Sequence, residues 1–145
     1  MSALLDELDA VAAAPEHHKV LLENDRIRVL ETRILPGDET NVHIHVWGGY
    51  LYIVSWSDFI RYDGEGNIML QSSNLSNPPQ PGTAIWAPPL PPHTLRNVGT
   101  QDIHVILTEF KDGSDPNPAS ALPVKPNWSA KWNADFSWTD GRAGI

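Results

Sequence analysis

Residues 37–49 read GDETNVHIHVWGG, and a single isoleucine separates the two histidines, His43 and His45. Side chains repeat every two residues along a strand, so in extended backbone both imidazoles leave one face, whereas on a helix they would diverge. Two imidazoles aimed at one point can share a metal ion. Outward from this stretch the texture stays the same from Val20 to Phe110. Short runs rich in Val, Ile, Thr and aromatics are punctuated by Pro36-Gly37, Gly48-Gly49, Asp63-Gly64, Gly66-Asn67, Pro81-Gly82 and Asn97-Val98-Gly99. Such punctuation marks antiparallel strands joined by turns. Strands are expected near 20–23, 26–35, 41–47, 50–56, 58–62, 67–71, 83–87, 93–97 and 102–110. With no helical pattern between them, the chain reads as all-β, a closed barrel or jelly roll.

The two ends differ from this middle. Leu4, Leu5, Leu8, Val11 and Ala12 recur at helical spacing after a cap at Ser2, and Pro15 stops the pattern. Residues 1–19 are therefore expected to form one short helix and a polar link, with His17 and His18 facing solvent. Residues 20–111 form the barrel, and 112–145 a Pro/Trp-rich extension. That extension carries Trp128, Trp132 and Trp138, more aromatic surface than a free tail keeps in water, so it should pack on the barrel or on a partner subunit.

Composition narrows the function. A chain of 145 residues suits one domain with one core. Ten Lys and Arg stand against eighteen Asp and Glu, a net charge of −8, which is the wrong sign for nucleic acid or an anionic membrane. Cysteine is absent, so any metal must be held by nitrogen or oxygen, and a reducing compartment fits. The start, MSALLDELDAVAAAP, has no basic n-region, and no run approaches a membrane span. The expected location is cytoplasmic.

A third histidine, His93, lies in GTAIWAPPLPPHTLRN at residues 82–97. Gly37, His43 and His45 match the start of one motif, G-x5-H-x-H-x3or4-E-x6-G. Gly82, Pro88, His93 and Asn97 match a second, G-x5-P-x-G-x2-H-x3-N. On these residues the chain resembles the cupin superfamily over about 20–111. The resemblance implies a double-stranded β-helix (jelly-roll) barrel holding one divalent transition metal through His43, His45 and His93. Two parts of the pattern are altered. With a four-residue spacer the motif's glutamate ligand falls on Tyr50 and its closing glycine on Ser57, and Leu90 replaces a glycine in the second motif.

Without that glutamate, three neutral imidazoles leave the charge of a divalent ion uncompensated and up to three positions open on a six-coordinate ion. Such a centre favours a chelating anion such as a β-dicarbonyl enolate. By resemblance to three-histidine cupin dioxygenases, the expected metal is Fe(II), with Zn, Ni, Cu or Mn as alternatives. The substrates would be O2 and a small oxygen-chelating molecule. A zinc hydrolase or lyase, or a non-catalytic small-ligand binder, are the competing functions. Carrying strand parity inward from Tyr50 puts Tyr52 and Val54 on the same face, and Trp47 beside His45. Tyr50 would then contact substrate, with Trp47, Tyr52 and Trp86 lining the pocket, although Trp86 can equally pack beneath the tail. Of His104 and Glu109 only one can face inward, and either could orient a ligand imidazole. No convincing inward carboxylate is expected otherwise. Barrel edges and the aromatic tail point to a homodimer.

Overall fold

The computed structural model describes residues 3–113; the expectations for Trp128, Trp132 and Trp138 lie outside them. Among the described residues nine strands are formed: β1 (His18–Glu23), β2 (Ile27–Ile34), β3 (His43–His45), β4 (Gly49–Ser55), β5 (Phe59–Asp63), β6 (Ile68–Gln71), β7 (Ala84–Ala87), β8 (Leu90–Asn97) and β9 (Ile103–Phe110). They pair antiparallel in two sheets, β1-β2-β9-β4-β7 and β3-β8-β5-β6. The all-β expectation holds strand for strand. β3 is shorter than expected, and β8 begins early, at Leu90, and so contains Pro91 and Pro92. Its pairing with β5 starts only at His93, so neither proline is asked for a ladder hydrogen bond by that neighbour.

Alternation builds the core rung by rung. On the inner face of the five-stranded sheet, Leu30, Leu107 and Leu51 lie in cross-strand register, and Thr32, Val105 and Ile53 form the next rung. Each fully buried aliphatic contributes roughly 1.5–3 kcal/mol. Phe59 from the other sheet and Ala10 from the N-terminal segment join this cluster. On the other side of the Leu30 rung the pattern changes in kind: Arg28, Glu109 and Gly49 stand where the apolar residues would continue.

Turns and ties fix the frame. Gly37 and Gly82, the leading glycines of the two motifs, both sit at φ 82°, a left-handed conformation that strains any other residue. Asn97, fully buried, donates to the carbonyls of Ile34 (2.9 Å) and Gln101 (2.7 Å), so this motif residue staples the end of β8 to β2.

The N-terminal segment forms two helices where one is expected: α1 (Ala3–Leu8) and α2 (Ala10–Ala13). The break is at Asp9. Its carboxylate accepts from the Val11 amide as the cap of α2, its backbone bridges to Ile44 in parallel, and Arg28 grips it with two bonds of 2.8 and 2.9 Å. A helix running through Asp9 would forfeit all three.

Candidate metal centre

Three motif histidines project into the barrel from two adjacent strands of one sheet, β3 and β8. His43 lies opposite His93 in the β3–β8 ladder, with ring centroids 4.3 Å apart, and a register shift follows before His45 meets Leu90. The His45 ring lies 5.1 Å from His43 and 5.6 Å from His93. A fourth ring joins them, which sequence reasoning placed in solvent. β1 starts two residues earlier than expected, and His18, opposite inward-facing Thr32, is 5 % exposed, with its ring 4.6 Å from His43. The ligand atoms of His18, His43 and His45 all lie within 4.8 Å of one another. His17, also expected in solvent, is buried and turned elsewhere, its Nε2 bonded to Asp38 at 2.7 Å.

The rings are prepared for a cation. Nδ1 of His18 faces the Ala14 carbonyl (3.0 Å), that of His43 the Asn41 carbonyl (2.8 Å) and that of His93 the Pro91 carbonyl (2.6 Å). A carbonyl can only accept, so each ring carries its proton on Nδ1 and leaves the Nε2 lone pair for a metal. Burial favours the neutral form: it pushes His18 down to about 3 and His43 and His93 well below the ordinary histidine value, with neighbouring positive charge adding to the effect. At metal–nitrogen distances of about 2.0–2.1 Å, bound nitrogens stand roughly 3 Å apart, so the cluster closes by side-chain rotation. The donor set fits a divalent transition metal.

His45 has a different partner. Its Nδ1 faces Oε2 of Glu109 at 3.5 Å, too long for a closed hydrogen bond, and both atoms are buried without another partner. The second oxygen of Glu109 accepts from Arg28 Nε at 2.7 Å, and Arg28 is held in turn by Asp9. Burial works against the Arg28 charge, but the bonds to Asp9 and Glu109 outweigh it and raise its pKa. Asp9–Arg28–Glu109 thus runs as a chain that ends opposite Nδ1 of His45, the position from which a carboxylate orients a ligating imidazole.

Of His104 and Glu109, Glu109 is the one that faces inward and gives the barrel a carboxylate. It is 0 % exposed, on the same side of β9 as Ile103, Val105 and Leu107, whereas His104 faces outward to Glu31. It stands directly across the ladder from Gly49. With the motif's three-residue spacer, Gly49 occupies the glutamate position, and a Cβ there would collide with the Thr108 carbonyl. No side chain can grow from that point, and the carboxylate comes from the neighbouring strand.

The aromatic wall also differs from expectation. Tyr50 and Tyr52 are 42 % and 46 % exposed on the outer face of β4, with Val54, because Leu51 and Ile53 take the inward positions. Tyr50 therefore neither contacts the metal site nor fills the place of a ligand. Trp86, paired with Tyr50 across the ladder, packs on that outer side against Tyr50 and Phe110. The cavity, of about 90 Å³, is lined by the four histidines together with Trp47, Trp56, Arg61 and aliphatic residues including Leu51 and Leu107. Trp47 keeps its expected place, with the Arg28 guanidinium 5.0 Å from its ring. Trp56 and Arg61 carried no sequence signal separating them from other strand residues.

No family model matches the sequence, and no curated protein matches it. Solved structures do. A cupin domain from Bordetella pertussis Tohama I aligns with a TM-score of 0.52 at 22 % identity, covering 65 % of this chain and 91 % of that one. A protein with a double-stranded β-helix domain from Klebsiella pneumoniae aligns with a TM-score of 0.45 at 19 % identity, covering 67 % and 74 %. The polyketide cyclase RemF from Streptomyces resistomycificus aligns with a TM-score of 0.45 at 20 % identity, covering 70 % and 71 %. The likeness is one of fold.

Proposed function

We propose that this chain, whose fold is the cupin double-stranded β-helix, is a mononuclear metalloenzyme, and specifically an Fe(II) dioxygenase acting on a small oxygen-chelating substrate such as a β-dicarbonyl or hydroxy ketone. The observation that carries the reading is a cluster of buried imidazoles, whose Nε2 atoms accept or donate no hydrogen bond among the described residues, on the wall of an otherwise largely apolar cavity. The inward carboxylate of Glu109 beside it is turned to the back of His45 and already bonded to Arg28.

His43, His45 and His93 would hold the metal, and the bound ion would supply Lewis acidity toward two substrate oxygens and, as Fe(II), a place for O2. With no negative ligand, the site leaves charge for the substrate to neutralise. Arg61 adds positive charge to the same wall, which favours an enolate over its neutral parent. Trp47, Leu51 and Leu107 would keep water from the reacting oxygens, and a cavity of about 90 Å³ restricts the substrate to a small molecule.

The test is oxygen uptake by protein loaded with Fe(II) under anaerobic conditions and then given a panel of diketones and hydroxy ketones. Consumption that disappears in His43→Ala supports the dioxygenase. No uptake with any of them, together with hydrolysis by the zinc-loaded form, would replace it with the zinc hydrolase reading.

A further inference from the structure

We infer that His18 is a fourth metal ligand, so that the centre is a four-histidine site whose last nitrogen is delivered by the first strand, outside both histidine motifs. The inference rests on the proposed metal site and extends its ligand set.

Two independent selections of residues meet here. The motif pattern picks His43, His45 and His93, while mutual distance picks His18, His43 and His45, with all ligand atoms inside 4.8 Å. The sets share His43 and His45, and both remaining rings lie against His43, that of His93 at 4.3 Å and that of His18 at 4.6 Å. His18 is as fully prepared as the motif residues. It is buried, its Nδ1 is bonded to a backbone carbonyl, and its Nε2 has no partner among the hydrogen bonds of the described residues. An unused imidazole of this kind is costly to hold in an apolar cavity. A surface role would leave it beside Lys19 in solvent, and a purely structural role needs only the bond to Ala14.

The backbone around it is tied down on both sides. His17, one residue earlier, is fixed in the opposite direction by Asp38, and its carbonyl accepts from the Arg33 amide. Upstream, α2 is held by Asp9 on Arg28. The ring therefore approaches the other three from a rigid support, and metal binding would staple the N-terminal segment to the barrel. Four imidazoles on a six-coordinate ion leave two positions, the number a bidentate oxygen chelator fills.

The experiment uses the full chain loaded with one equivalent of Cu(II) and read by electron paramagnetic resonance, which counts coupled imidazoles, alongside a Zn(II) competition titration. The unaltered protein should show four coupled imidazoles. His18→Gln should show three and bind Zn(II) on the order of a hundredfold more weakly, while His17→Gln should match the unaltered protein in both readouts. Three imidazoles in the unaltered protein, with His18→Gln unchanged in both count and affinity, overturns the fourth ligand and leaves a three-histidine centre standing. Protein that takes up neither Cu(II) nor Zn(II) overturns the metal site itself. Because the count on the unaltered chain needs no variant, a His18 substitution that fails to fold does not remove the test.

Discussion

Glu109→Gln separates the orienting role of the buried carboxylate from its bulk, since the two side chains are nearly the same size. In the native chain, Arg28 Nε donates to one oxygen at 2.7 Å, and the other oxygen faces His45 Nδ1 at 3.5 Å. A carboxylate can only accept, so when the two atoms close to hydrogen-bonding distance His45 carries its proton on Nδ1 and keeps its Nε2 lone pair for the metal. In the variant, Arg28 selects the amide oxygen, which turns the amide nitrogen toward His45. That nitrogen donates, so Nδ1 must accept and the ring proton moves to Nε2, where it blocks ligation. Loss of such an orienting partner weakens metal binding by about 10–100-fold, or roughly 1.4–2.8 kcal/mol. The fold suffers too, because half of a buried ion-pair network loses its charge, and breaking a buried pair outright costs about 3–5 kcal/mol. Zinc affinity by chelator competition at pH 7, with thermal unfolding of the metal-free protein in parallel, reads both effects. A lowered melting temperature with native zinc affinity would refute the orienting role and leave Glu109 only a structural partner of Arg28.

The buried histidines make the metal-free protein acid-sensitive. His18, His43 and His93 resist protonation when folded, while the unfolded chain takes up protons near the ordinary value of 6.5, so stability is complete above that pH and is lost as pH falls toward the depressed folded values. His18, pushed down to about 3, should by itself cost about 2 kcal/mol by pH 5, visible as a lower urea midpoint; an unchanged midpoint between pH 7.5 and 5 would contradict it. Tyr50→Phe should leave metal affinity and turnover as they are, because the ring stands on the outer face of β4; a loss in either would return Tyr50 to the site. Gly49→Ala should destabilise by at least about 2 kcal/mol in urea unfolding, since the methyl meets the Thr108 carbonyl in the ladder and no side chain can yield; a neutral effect would mean that β4 and β9 are not so closely paired.

Much of the barrel was legible because strand period, turn residues and motif glycines all pointed the same way. Leu107 and Glu109 share a parity that the sequence displays, and following Ile103, Val105 and Leu107 one step further selects Glu109 over His104. Parity failed at β4 for a physical reason. Both faces of that strand are apolar, with Leu51 and Ile53 on one side and Tyr50, Tyr52 and Val54 on the other, so alternation alone cannot say which faces in. Anchoring the motif's glutamate on Tyr50 instead of Gly49 then shifted every later residue to the wrong side. His18 was missed because its strand begins in a polar link after Pro15, where two adjacent histidines look like solvent-facing residues. Only the opposed orientations of His17 and His18, set by Asp38 and the Ala14 carbonyl, distinguish them.

The central claim is that these imidazoles grip one cation. Elemental analysis of the protein, purified without added metal or chelator and compared with His43→Ala, tests it most directly. The account predicts about one transition-metal ion per native chain and none in the variant. Well-folded native protein that carries no metal and takes up none of Fe(II), Zn(II), Ni(II), Cu(II) or Mn(II) on titration would contradict it.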